Sequence, residues 1–148
     1  MKTLTALLLL LPIVAGCSSG PIVKAQLDAE VKRLCAIDGG VKVYETVRLP
    51  AERFDKYGGI RIPLKQDVKP SDEYYYEWIV HHSVDGNPSM RRDHFVVYRK
   101  ADGKLLGEAI SYGRRGGDMS GPWHESSFRC PLDADDQDLM RRIFTKLN

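Results

Sequence analysis

A long alternating segment followed by a β-hairpin constrains the fold more than any other feature. From Glu73 to Val84 successive residues alternate between two faces, as they do in a β-strand. A second apolar run, from Asp93 to Arg99, is followed by Ala101-Asp102-Gly103 and by a third run from Leu105 to Tyr112. Asp-Gly between two apolar runs is a strong hairpin signal. The sequence therefore predicts an antiparallel sheet built on these strands.

Two helical patterns flank this sheet. Val23 to Ile37 has apolar residues at helical spacing, and Asp133 to Leu147 begins with acidic and ends with basic side chains, which suits the helix dipole. A further strand is predicted from Val41 to Leu49, and a short one from Gly59 to Leu64 in an otherwise irregular segment. The expected fold class is α+β, with an antiparallel sheet of about four strands and the N- and C-terminal helices packed on one face.

The N-terminus has the pattern of an export signal. Lys2 precedes an apolar run from Leu4 to Val14, which is shorter than the roughly 20 apolar residues that span a bilayer. The following Ala15-Gly16-Cys17 completes a sequence that resembles the lipobox of bacterial lipoproteins.

The lipobox resemblance implies a lipid-anchored protein. Residues 1–16 would be the signal peptide, Cys17 would carry the acyl chains (palmitate among them), and residues 17–21 would form a tether. Residues 22–148 would form a single periplasmic domain. Ser18 after the cysteine implies, by the same resemblance, anchoring in the outer membrane with the domain facing the periplasm. The alternative is a plain secretory signal with an incidental cysteine.

The two other cysteines, Cys35 and Cys130, are predicted to form a disulfide. Paired cysteines are typical of exported domains, and Cys35 lies on the apolar stripe of the first predicted helix. A cysteine–histidine catalytic site is the alternative, although neither cysteine lies in a recognisable nucleophile motif.

Length and charge exclude several classes of protein. A chain of 148 residues fits one ordinary domain, and its formal net charge of +2 argues against a dedicated nucleic-acid binder. The sequence contains no phosphate-binding loop, dinucleotide fingerprint or G-x-S-x-G frame, so no cofactor is predicted.

Four arginines gather at one end of the predicted hairpin. With an Asp-Gly turn, Arg91 and Arg92 pair with residues 114 and 113, or with residues shifted by one place, which brings them close to Arg114 and Arg115. A Gly-rich stretch follows and leads to His124. Guanidinium groups beside such a loop predict an anion or interaction site. A solvated charged rim, balanced by neighbouring carboxylates, is the alternative.

The histidines and one glutamate are further candidates. His82 shares a face with Trp78 and is interpreted as a core histidine. A metal site built from His94 and His124 with other side chains is possible in principle, but no zinc-ligand spacing is present, and no metal is predicted. Glu45 interrupts a valine face, so it is a candidate for a buried carboxylate with a raised pKa. The alternatives are that it pairs with an arginine or a tyrosine, or that it lies at a sheet edge.

Four segments extend the resemblance beyond the lipobox. They are Leu34 to Val47, Asp102 to Glu108, Gly-Arg-Arg-Gly-Gly-Asp at 113–118 and Gly-Pro-Trp-His at 121–124. Together they resemble a group of small uncharacterised proteobacterial lipoproteins over most of the mature chain. That resemblance implies no activity, cofactor or catalytic residue.

The functional interpretation is a lipid-anchored envelope protein that acts as a non-enzymatic binding or interaction module. Its expected partners are the membrane, through the lipid, and an anion or protein of the envelope, with no nucleic acid. One alternative is a small envelope hydrolase or metal-dependent enzyme that uses His94, His124 and the arginine-rich loop. Another is a protective or exclusion lipoprotein that blocks a membrane partner.

Overall fold

The computed structural model describes residues 19–147 except residues 120, 122 and 123. The predicted signal peptide, lipobox and Cys17 lie outside the described residues. The helices and strands, in chain order, are α1 Ser19–Asp38, β1 Gly40–Val43, β2 Val47–Leu49, β3 Tyr74–Val84, β4 Ser89–Arg99, β5 Leu105–Arg115, β6 Ser127–Cys130, α2 Asp136–Ile143 and β7 Phe144–Lys146. Among these residues, no helix is long and apolar enough to cross a membrane.

A five-stranded antiparallel sheet forms the centre of the domain. The long strands β3, β4 and β5 lie side by side in that order. The other edge of β5 pairs first with β1, through residues 107–110, and then with β6, through residues 112–115. This confirms the predicted hairpin and the α+β class, and β3 is left as an edge strand.

The two helices pack on opposite faces of the sheet, so the prediction that both cover one face is wrong. Val31 of α1 packs with Ile110 and Tyr112 on one side. Leu139 and Ile143 of α2 pack on the other side, in a separate and larger core cluster that includes Phe95, Val97 and Leu106. The reason is that residues 109–112 of β5 are all buried, so both faces of this strand have to be covered. We call the two sides the α1 face and the α2 face.

The C-terminal segment from Asp133 to Leu147, predicted as one helix, forms a shorter helix followed by a strand. Helix α2 begins only after Asp135, whose side chain caps it by accepting a hydrogen bond from the Asp138 amide at 2.9 Å. The chain then continues as β7, which pairs in parallel with β2. Strand β2 is the second half of the strand predicted from Val41 to Leu49, which is interrupted where the amides of Tyr44 and Glu45 both donate to Leu106 O.

The predicted strand from Gly59 to Leu64 does not form. Within the described part of the chain, this region instead makes two isolated bridges, Phe54 to Ile60 and Leu64 to Tyr76. The second bridge lays the segment beside the first half of β3. The segment thereby covers part of the α2 face that the short helix leaves open, with Ile62 buried in its core.

The disulfide between Cys35 and Cys130 is confirmed, with a Cα–Cα distance of 5.8 Å. It joins α1 to β6 across 95 residues of sequence. In the chain-entropy model a loop of this length contributes about 4–5 kcal/mol to the free energy of unfolding. Strand β6 has only four residues, so this bond is a main reason that it stays on the sheet.

Two glycines of β5 give a matched test of this packing. A Cβ at Gly107 would lie 2.8 Å from Lys42 O and 2.9 Å from Ile143 Cδ1, whereas a Cβ at Gly113 would meet only Phe128 O, at 3.7 Å. We expect Gly107→Ala to lower the free energy of unfolding by about 1–3 kcal/mol because the helix has to move away from the sheet. Gly113→Ala should leave it unchanged or slightly higher. Urea unfolding of both variants measures the difference, and equal effects would contradict this packing.

Candidate functional site

A row of residues crosses four strands on the α2 face, beyond the end of α2. His82 of β3 lies opposite Arg91 of β4, Arg91 lies opposite Gly113 of β5, and Gly113 lies opposite Arg129 of β6. Arg115 is two residues further along β5, so its side chain leaves the sheet on the same side. Three arginines from three adjacent strands therefore lie around a glycine on one face of the sheet.

The glycine opens a cleft between these arginines. Neighbouring strands are about 4.8 Å apart, so the backbones of Arg91 and Arg129 are separated by roughly 10 Å. Gly113 places no side chain between them, and the resulting cleft has a volume of about 400 Å³. Ser89 and Ser127 lie opposite Arg115 on its two sides and also line it. We call this feature the arginine cleft.

Asp93 orients the first arginine of the cleft. Its carboxylate is buried and accepts one hydrogen bond from Trp78 Nε1, at 3.0 Å, and one from Arg91 Nε, also at 3.0 Å. Trp78 is itself held by stacking on Phe95, with ring centroids 5.7 Å apart. Because Asp93 binds only Nε, the two terminal nitrogens of Arg91 keep no partner within the described residues.

The other two arginines also have unused donors. Arg115 Nε donates to Glu125 at 3.0 Å, and its side chain is 78% exposed. Arg129 donates to the Ser111 hydroxyl and to the Ala134 carbonyl, and no carboxylate lies within 4.0 Å of it among the residues that the structure describes. Each guanidinium has five N–H donors. The cleft therefore offers several charged donors to an anion and carries one uncompensated positive charge.

The structure separates the four arginines that the sequence placed together. The side chains of Arg91 and Arg115 line the cleft, but those of Arg92 and Arg114 point to the α1 face, so the structure does not bring all four side chains into one site. Arg92 Nη2 donates to Asp38 at 3.3 Å. Arg114 is buried and donates through Nε to Asp28 at 2.7 Å, and also to carbonyl oxygens of the following loop. The reason is the alternation of side chains along each strand.

Sequence reasoning missed Arg129 and Gly113 as site residues. The signal was present, because Arg129 immediately precedes Cys130, and the predicted disulfide attaches that segment to the domain. The sequence does not reveal the register of β6 against β5, which places Arg129 opposite Gly113.

The histidines do not assemble. His81 and His82 are exposed on the edge strand, so the interpretation of His82 as a core residue is wrong. His124 is exposed in the loop between β5 and β6, and His94 lies on the α1 face, away from the cleft. In the described ranges, no group of three or more His, Cys, Asp or Glu side chains is placed to hold a metal ion.

A second polar cluster lies on the open part of the α1 face. His94 Nε2 is 2.7 Å from one carboxylate oxygen of Glu108, and the Tyr44 hydroxyl donates to the other oxygen. Burial would raise the pKa of Glu108, but the hydrogen bonds from Tyr44 and His94 outweigh it and hold that pKa below its ordinary value. The charges of the cluster are paired with one another. Its hydrogen bonds therefore connect Tyr44, just after β1, to β4 and β5.

Two other carboxylates are also structural. Glu45 is half-buried and pairs with Lys104 and Arg99, which lower its pKa, so the arginine-pair interpretation is confirmed and the raised pKa is wrong. Asp118 accepts hydrogen bonds from Lys24 of α1 and from the amide and hydroxyl of Ser126, and these bonds hold its pKa far below the ordinary value. Asp118 thereby ties the loop after β5 to α1.

Comparison with known proteins finds no matching family model, no matching curated protein and no matching solved structure. The resemblance to small lipoproteins therefore stays a prediction, and the function has to be inferred from the geometry.

The buried Arg114 gives the first test of this description. Arg114→Met removes the donor of Asp28 and of the Gly116 carbonyl, whereas the Ser126 carbonyl keeps the Gly116 amide. We expect it to lower the free energy of unfolding by about 3 kcal/mol. Arg115→Met, one residue along the same strand, removes only an exposed ion pair and should cost at most about 0.5–1 kcal/mol. Urea unfolding compares the two. Similar costs would show that Arg114 is not buried against α1.

The Glu108 cluster predicts a pH effect. A carboxyl group whose folded-state pKa lies below its unfolded value contributes stability that is present at neutral pH and lost as the pH falls through the folded-state pKa. We expect Glu108→Gln to reduce stability at pH 7 and to weaken the loss of stability between about pH 5 and pH 3. Thermal melts across this range, compared with wild type, measure the change. Parallel curves for the two proteins would contradict the pKa direction.

Proposed function

We propose that this chain is a lipid-anchored envelope protein whose domain is a non-enzymatic binding module, and that the arginine cleft binds a phosphate or carboxylate anion. The observation that carries the proposal is the convergence of Arg91, Arg115 and Arg129 around Gly113. Guanidinium groups bind oxyanions through charge-assisted, often bidentate hydrogen bonds. Because the three arginines lie on strands of one sheet, their backbones need little rearrangement when an anion binds.

The distribution of the other polar groups favours binding over catalysis. The hydrolase alternative requires His94 and His124 to act with the arginine-rich loop. His94 faces the opposite side of the sheet and is engaged by Glu108, and no hydroxyl or thiol nucleophile contacts it among the described residues. The serines of the cleft have no histidine base in hydrogen-bond contact within the same residues.

Two arginines of the cleft are held in place by buried partners, which is not expected for arginines on a solvated surface. Asp93 holds Arg91, and Ser111 and Ala134 hold Arg129, so these two arginines are positioned by buried partners. A solvated rim needs no such support. This difference is the reason that we prefer an anion site to the alternative of a solvated surface.

The cleft can be closed without changing its charge. We expect wild-type residues 18–148, which contain every described helix and strand, to bind inorganic phosphate or citrate in isothermal titration calorimetry. Gly113→Leu fills the floor of the cleft and should weaken binding at least ten-fold. Arg91→Met should also weaken binding about ten-fold, because it removes a charge-assisted hydrogen bond.

Two outcomes would contradict this proposal. One is an absence of phosphate and citrate binding by wild type. The other is binding that Gly113→Leu leaves unchanged, which would place the anion elsewhere. An apo domain that instead captures an envelope protein would favour the exclusion-lipoprotein alternative.

The lipid anchor is tested separately. We expect full-length protein made in a Gram-negative host to fractionate with the outer membrane and to begin at an acylated Cys17, as measured by mass spectrometry. Cys17→Ser should release the protein from the membrane fraction. A soluble wild-type protein with an unmodified Cys17 would contradict the anchor and favour the plain secretory signal.

A further inference from the structure

The direction of α1 places its start at the end of the sheet that carries the arginine cleft, although α1 and the cleft lie on opposite faces. Lys24 contacts Asp118 in the loop after β5, Asp28 contacts Arg114 near the end of β5, and Asp38 contacts Tyr112 further back along that strand. The helix therefore starts at the end of the sheet where the loop after β5 lies. Arg115, at the same end of β5, lines the cleft.

The distance from this end to the predicted lipid is short. Cys17 precedes Lys24 by seven residues of sequence. Seven residues span about 10 Å as a helix and at most about 25 Å as an extended chain. If Cys17 carries the lipid, Lys24 is held within that distance of the bilayer surface, and the arginine cleft lies at the same end of the sheet.

The chemistry of this end suits a membrane surface. Arg115 is largely exposed, and Arg91 and Arg129 have terminal donors beside it. Met119, in the loop that Asp118 ties to α1, is 73% exposed and adds an apolar side chain at the same end. Basic side chains near a bilayer are attracted to its anionic lipids, whose phosphates lie in the headgroup layer.

We propose that the anion bound by the arginine cleft is the phosphate of a membrane lipid headgroup in the same bilayer that holds the acylated Cys17. This inference rests on the proposed function, because it names the ligand of the same site. Headgroup phosphates are monoanionic or dianionic, and the tether keeps the end of the domain that carries the cleft near the bilayer that holds them. Binding at both the anchor and the cleft would fix the orientation of the domain on the membrane.

Vesicle flotation of residues 18–148, which lack the acylated cysteine, tests the inference. The probes are vesicles of phosphatidylcholine alone and of phosphatidylcholine mixed with phosphatidylglycerol. We expect binding to the mixed vesicles only. Arg91→Met and Arg115→Met should each weaken it about five-fold, the effect of one basic residue near an anionic surface, and the double variant about 25-fold.

Two controls separate a defined cleft from general attraction between charges. Gly113→Leu keeps the net charge and should reduce vesicle binding at least ten-fold. Arg141→Met removes an arginine of similar exposure on α2, at 57% against 51% for Arg91, and should change binding less than two-fold. Thermal melts of each variant confirm that the domain is folded.

The outcomes distinguish this inference from the proposal on which it rests. Binding to inorganic phosphate without binding to anionic vesicles would overturn the membrane ligand and leave the anion cleft in place. Vesicle binding that Gly113→Leu does not affect, or that Arg141→Met reduces as much as Arg91→Met, would also overturn it. Absence of binding to both probes would overturn both proposals.

Discussion

Strand β5 is hydrogen-bonded along both of its edges and buried on both of its faces, and the rest of the domain depends on this arrangement. One edge carries β4, and the other carries β1 and β6 in succession. Ile110 and Tyr112 face α1, whereas Ala109 and the backbone at Gly107 face α2. Small residues on one side allow a helix to approach closely, and large residues on the other fill the space beneath a longer helix. This division places the two helices on opposite faces.

The same strand organises the site. Gly113 lies between Arg91 and Arg129 in one row across the sheet, so the register that buries the core also opens the cleft. The short strand β6 brings Arg129 to this row, and β6 is in turn secured by the Cys35–Cys130 disulfide and the contact of Arg129 with Ser111. Stability and binding chemistry are therefore coupled at β6, because loss of its pairing would remove one wall of the cleft.

Structure that depends on local sequence patterns could be predicted, whereas pairing between strands far apart in the sequence could not. The hairpin around Asp102-Gly103, the first helix and the disulfide could all be predicted, because each depends on neighbouring residues or on the chemistry of exported cysteines. The predicted C-terminal helix is longer than the observed one. Residues Phe144–Lys146 instead form a strand that pairs in parallel with β2, which is far away in the sequence. The alternation of β3 places His82 on the same face as Trp78 and so predicts a core position for it. The strand lies at the edge of the sheet, however, and alternation carries no information about which strand has no outer neighbour.

The arginines at the end of the hairpin show which features of the site could be predicted from the sequence and which could not. The sequence by itself determined that Arg91 and Arg92 project from opposite sides of their strand, as do Arg114 and Arg115, because successive side chains of a strand alternate. It also determined the hairpin that brings both pairs to one end of the sheet. Only the tertiary structure decided which arginine of each pair becomes a buried partner of α1 and which one lines an open cleft, and that Arg129 joins them. That decision depends on the exact register and on the face that each helix covers, and a shift of one residue reverses it.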